Sequence, residues 1–238
     1  MNSNIEQSVH ISQRFDQELA QVRELIAQMG TLVSQQVNNG LASFLHFDID
    51  LAQAVVEKDA DVNALEIKVD ALCTKILATR QPAAGDLRFI VMVLKVITDF
   101  ERIGDEAQKL GRNTLKLANS TNATRPFSEL KHLGEQVQSN LVKATKAFNQ
   151  LDTLAAITII EQDEVINEEY DNVSRLLLTK MMEDPREIKN ALRITWCARA
   201  LERIGDHAKN ICEYVFYLVE GKDLRHSSMK EIKQALAK

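Results

Sequence analysis

The sequence predicts an all-α protein made of two tandem three-helix bundles related by an internal repeat. Three observations carry this. Eight glycines, three prolines and 5% aromatic residues in a chain of 238 leave too few turn and strand formers for a sandwich or barrel. Apolar residues recur at steps of three and four over most of the chain, the spacing of one helix face. Glu101-Arg102-Ile103-Gly104-Asp105 returns 101 residues later as Glu202-Arg203-Ile204-Gly205-Asp206, and Asp59-x-x-Val62-Asn63 returns 104 residues later as Asp163-x-x-Ile166-Asn167. Two matched landmarks at nearly one displacement mark a duplication. The first repeat spans 1–120; the second, with a short C-terminal tail, spans 121–238.

Each element has its own signal. From about 10 to 46, Phe15, Leu19, Val22, Ile26, Met29, Val33 and Val37 form one stripe of a long helix. A second helix, about 48–80, carries Leu51, Val55, Val62, Leu65, Val69, Leu72 and Ile76. A third, about 84–119, carries Phe89, Val93, Val96, Phe100, Ile103, Ala107, Leu110 and Leu117. The second repeat supplies helices over 130–148, 154–182 and 188–219, the last with Ile194, Cys197, Leu201, Ile204, Ala208, Ile211, Val215 and Leu218 on one face. Pro82, Pro126 and Pro185 fall at or just before helix starts, where a missing N–H costs little. Asp184 reads as an N-cap before Pro185, and Gly221 as a helix stop. The polar run 119–124 is the linker. The tail from Lys222 to Lys238 reads as a short, loosely packed helix.

Charge and cysteine usage exclude several classes. With 34 acidic and 29 basic residues the net charge is -5, spread along the chain, so there is no basic footprint for nucleic acid. The densest apolar run, Phe89 to Leu94, is far short of the ~20 residues a membrane span requires. Met1 to Gln7 lacks the basic start and apolar run of a secretion signal, so the expectation is a cytoplasmic protein. Cys73, Cys197 and Cys212 form no C-x-x-C pair and read as reduced, buried thiols.

The informative charges are the repeated acids. Positions i and i+4 share a helix face, so Glu101 with Asp105 and Glu202 with Asp206 are close like-charged pairs that need a compensating cation. Both pairs sit on the shoulder of an apolar stripe. Asp59, Asn63, Glu66 and Asp70 share the matching shoulder of the second helix, and two helices packed through their stripes bring these shoulders along one open groove. Carboxylate and amide oxygens so arranged suit hard cations such as Mg, Ca, Mn and iron. The second repeat offers Asp163, Asn167, Glu202 and Asp206, with Tyr170 and Ser174 in place of Glu66 and Asp70, a poorer set.

A single acidic i, i+4 pair beside an arginine is ordinarily a solvated face. Two features favour the metal reading: the whole constellation is duplicated, and Gly104 and Gly205 recur inside helices, where glycine costs ~1 kcal/mol against alanine unless a neighbour approaches closely. Only Glu129-x-x-His132 matches the E-x-x-H spacing of a di-iron bundle, and it has no second copy. His207 stands at the edge of one acidic set; His10, His46 and His226 read as surface residues. No phosphate-cradling loop or nucleophile elbow is present, so catalysis is not expected. The competing reading is a metal-dependent enzyme or metal store on the same carboxylates.

The paired Glu-Arg-Ile-Gly-Asp motifs, with Arg80-Gln81-Pro82, Asp86-Leu87-Arg88, Met181-Met182-Glu183-Asp184 and Asn210-Ile211-Cys212-Glu213, resemble the PhoU family over nearly the whole chain, about His10 to Arg225. The resemblance implies multinuclear metal clusters on acidic grooves, with divalent or ferric ions (Fe, Mn, Mg, Zn or Ca) held by Glu101, Asp105, Glu202, Asp206, Asp59 and Asp163. Asn63 and Asn167 stand where many members carry Asp. It also implies a homodimeric negative regulator of the phosphate-starvation response. Such a regulator couples the ATPase subunit of the phosphate ABC transporter to the sensor histidine kinase of the phosphate regulon, at the inner face of the membrane.

Overall fold

The computed structural model describes residues 13–120 and 128–222. The described residues form six long helices: α1 (Gln13–His46), α2 (Ile49–Arg80), α3 (Ala84–Ala118), α4 (Ser128–Gln150), α5 (Thr153–Glu183) and α6 (Ile188–Glu220). Among the described residues there is no strand. The start of the first helix before Gln13, Pro126, most of the linker, His10, His226 and the tail beyond Lys222 lie outside the described residues.

The turns within each repeat are built alike. Phe47 and Leu151, each at φ 54°, stop α1 and α4 in the left-handed region. The next residues, Asp48 and Asp152, accept the backbone N–H groups of Leu51 and Ala155 at 2.9 and 3.0 Å, and so cap α2 and α5. These turns are 104 residues apart, as are Asp59 and Asp163, so the repeat extends through the turn. The second inter-helix joint differs. In the first repeat Gln81 ends α2 in the left-handed region before Pro82. In the second, Asp184 caps a 3-10 turn, Pro185–Glu187, and α6 begins only at Ile188. The proline is therefore in the turn ahead of the helix rather than in its first turn. Gly221, at φ 71°, ends α6 as expected.

α1, α2 and α3 pack together, as do α4, α5 and α6, and the two sets meet through α3 with α6 and α1 with α4. One apolar core runs through both. The stripes of α1 and α3 are buried along the lengths named above. Leu51, Leu65 and Leu72 of α2 are only half-buried, because α2 covers the outside of its bundle. Cys73, Cys197 and Cys212 are free and buried; burial, with the charge of Asp70, pushes the Cys73 thiol up to about 12, so it stays protonated at neutral pH.

α3 and α6 run antiparallel. Asp99 Oδ1 is 2.7 Å from His207 Nδ1 and accepts Asn210 Nδ2 at 3.1 Å. Glu106 lies 2.8 Å from Arg203, and Arg193 donates to the Lys116 carbonyl at 2.7 Å. At the other end Arg88 donates to the Leu218 carbonyl at 3.4 Å and lies over the Tyr217 ring. Arg80 binds Glu18 of α1 through Nε at 2.8 Å and Nη2 at 3.3 Å, fixing the end of α2.

Candidate metal grooves and family membership

Gly104 and Gly205 set how near the acidic helices come. A Cβ on Gly104 would lie 3.2 Å from Val62 Cγ1 and 3.4 Å from Asp59 Oδ1. On Gly205 it would lie 3.3 Å from Ile166 Cγ2 and 3.7 Å from Asp163 Oδ1. The two glycines thus let α2 ride close on α3 and α5 close on α6. That closeness corrects one expectation. Asp59, Asp163 and Glu202 are buried, at 7%, 2% and 8% exposure, and not open on a shoulder.

In the first groove Asp59 Oδ2 accepts Gln108 Nε2 at 3.1 Å and Asn63 Nδ2 at 3.5 Å. Asp59 Oδ1 and Asn63 Oδ1 are buried without a hydrogen-bond partner. Glu66, Glu101 and Asp105 are half-buried beside them, and Asp70 is exposed. Burial, followed by the negative charge of Asp105, holds Asp59 above the usual carboxylate range. Glu66 is raised by burial and then by Asp70 and Asp105. Glu101 is raised by burial and then by Asp105, Glu66 and Asp59. Arg102, 3.5 Å from Glu101, opposes this. The groove therefore gathers Asp59, Glu66, Glu101 and Asp105, with Asp70 at its rim, into one repelling group that a cation would relieve.

In the second groove Asp163 Oδ2 accepts Asn167 Nδ2 at 3.3 Å and the Lys209 ammonium at 3.0 Å. Glu202 Oε1 accepts Arg199 at 2.6 Å, and that guanidinium also lies 5.7 Å from the Tyr170 ring centre. Asp163 Oδ1, Glu202 Oε2 and Ser174 Oγ are buried without a partner. Burial and then Asp206 raise Glu202; burial and then Asp163 raise Asp206. Burial works against the Lys209 ammonium, but its hydrogen bond to Asp163 and the charges of Asp163, Glu213 and Asp206 outweigh it and hold the lysine above its usual range.

Among the described residues no three His, Cys, Asp or Glu side chains form a ready-made ligand set. The first groove nonetheless fits a hard cation, since it sets mutually repelling carboxylates beside two orphaned buried oxygens. His207 bonds Asp99 through Nδ1, and its charge also acts on Asp206 at the edge of the second groove. His132 of the lone E-x-x-H lies 3.2 Å from Glu169. Sequence reading passed over Lys209, Arg199 and Gln108, although the displacement of 101 residues sets Lys209 against Gln108 and Arg199 against Thr98.

The PhoU domain model matches residues 26–114 and again 130–215, one match in each repeat. The chain is 44% identical to the phosphate-specific transport system accessory protein PhoU homolog of Pseudomonas aeruginosa, over 94% of this chain and 93% of that one. It is 39% identical to the phosphate-specific transport system accessory protein PhoU of Escherichia coli, over 96% and 94%. The crystal structure of PhoU from Pseudomonas aeruginosa superposes with a TM-score of 0.85 at 44% identity, covering 87% of this chain and all of that one. The phosphate transport system regulatory protein PhoU from Streptococcus pneumoniae superposes with a TM-score of 0.81 at 27% identity, over 88% and 98%. A duplicated match across both three-helix sets, carried by relatives of the same length, places the chain in the PhoU family.

Proposed function

We propose that the chain is an accessory regulator of phosphate-specific transport. It acts as a helical adaptor that holds the phosphate-starvation response off when phosphate is plentiful. The observation that carries this is the doubled family match, continuous with relatives that are themselves named as accessory or regulatory proteins of phosphate transport. In this reading a homodimer in the cytoplasm contacts the transporter ATPase and the sensor histidine kinase, and binds one kinase state better than the other. Among the described residues no helix is long and apolar enough to cross a membrane, which is compatible with attachment through those partners. Asp59, Asn63, Glu66, Asp70, Glu101 and Asp105 hold the metal ions, whose charge relieves the packed carboxylates and stabilises the α2–α3 pair.

Deletion of the gene in its native host with a phosphate-regulated reporter is the test. Loss of repression in phosphate-rich medium is expected. Unchanged repression would overturn the regulatory reading and favour a metal-dependent enzyme or store.

A further inference from the structure

We propose that the Lys209 ammonium is the resident cation of the second groove, so that metal ions enter only the first. This rests on the reading of the first groove as a metal site. The argument is a comparison of equivalent atoms. Gln108 and Lys209 are 101 residues apart, the displacement of the repeat. Each donates to the inner carboxylate of its own groove, Gln108 Nε2 to Asp59 Oδ2 at 3.1 Å and Lys209 Nζ to Asp163 Oδ2 at 3.0 Å. The geometry is conserved between repeats and the charge is not. A protonated lysine has three donors and no lone pair, so it cannot ligate a metal, and its charge opposes a second cation at contact range.

The charge balance of the second groove agrees, and it is charge that separates the grooves, since Asp163 Oδ1, Glu202 Oε2 and Ser174 Oγ are buried without a partner as Asp59 Oδ1 and Asn63 Oδ1 are. Arg199 neutralises Glu202 at 2.6 Å, whereas its counterpart Thr98 turns its hydroxyl to the Leu94 carbonyl of its own helix. Tyr170 and Ser174 replace two carboxylates, and the Arg199 guanidinium lies over the Tyr170 ring. The first groove thus sets five carboxylates against Arg102, 3.5 Å from Glu101, and the more distant charge of Arg112, which acts on Asp59 without a hydrogen bond to it. The second sets Asp163, Glu202 and Asp206 against two cations within 3.0 Å of their carboxylates.

Reciprocal substitution with Mn2+ as the probe tests this on the full chain. Metal content is measured by elemental analysis after equilibrium dialysis, and folding is checked by circular dichroism. Lys209→Gln is expected to gain about one further ion per chain, and Glu202→Ala/Asp206→Ala in that background to remove it. Gln108→Lys is expected to empty the first groove. Without Mn2+, Lys209→Gln should melt at lower temperature than wild type, and Mn2+ should restore it. If Lys209→Gln gains no Mn2+, or if Glu202→Ala/Asp206→Ala strips metal from the wild type, the assignment of Lys209 is overturned. A wild type that binds no Mn2+ while Lys209→Gln gains it would overturn the first-groove reading and uphold the lysine's role. A folded Lys209→Gln that binds as little as a metal-free wild type would overturn both.

Discussion

The two grooves share a backbone, a glycine and an inner aspartate, yet they satisfy that aspartate by different means. In both grooves Oδ1 of that aspartate is buried without a partner, and the difference lies at Oδ2, where Asp59 accepts from the amides of Gln108 and Asn63. Around Asp163 the same position carries an ammonium. A duplicated scaffold therefore keeps its packing while the two copies diverge in electrostatics. Packing depends on volume at Gly104 and Gly205, whereas charge balance depends on one side chain that packing leaves free to change.

The largest expected effect separates the grooves by metal affinity. Glu101→Ala/Asp105→Ala should weaken Mn2+ binding by about 100-fold or more, equivalent to ~2.7 kcal/mol, as read by calorimetric titration. Glu202→Ala/Asp206→Ala should leave it unchanged, and equal losses would erase the distinction. Next is stability. Asp163→Asn leaves Lys209 facing a neutral amide and should cost roughly 2 kcal/mol in urea unfolding of metal-free protein, less than a fully buried pair because the lysine is partly exposed. Asp59→Asn removes a charge that has no cation in contact and should stay within ~0.5 kcal/mol of wild type.

The smallest effect is the pH dependence. Glu101, Glu66 and Asp59 are raised in the folded state, so between the unfolded carboxylate pKa and the folded one the native protein binds more protons than the unfolded chain. Stability from these groups therefore falls as pH rises through that window. Glu101→Gln should raise the melting temperature of metal-free protein at neutral pH by a few tenths of a kcal/mol equivalent. The gain should vanish in acid, below the unfolded value near 4.3. A gain that persists in acid would mean that the amide packs better, with no repulsion relieved.

The sequence was most readable where structure is periodic. The stripe from Phe15 to Val37, the stripe of α3 and the helix stop at Gly221 follow from local spacing and one residue's conformational range. The recurrence of Gly104 at Gly205 correctly announced a close helix contact. Periodicity assigns a residue to a face but says nothing of what stands opposite. Asp59, Asp163 and Glu202 therefore lie deeper than a shoulder position suggests, because α2 packs close on α3 and α5 close on α6 at Gly104 and Gly205. Lys209 was hidden for a related reason: its meaning comes from Asp163 on another helix, and only alignment of the repeats sets it against Gln108. His207 turns to Asp99 because of how α3 meets α6, which no single-helix pattern encodes.

The antiparallel meeting of α3 and α6 also bears on whether the halves are interchangeable. His207 occupies the place of Glu106, and Asp99 the place of Ala200. A chain made of two copies of the first half would set Asp99 against a second Glu106, carboxylate facing carboxylate at a buried seam. Once joined in one chain, the copies could take complementary rather than identical residues there, His207 replacing a second Glu106 opposite Asp99, while Arg203, the arginine that meets Glu106, is matched by Arg102 in the first copy. The seam that unites the repeats is thus also what prevents either from standing in for the other.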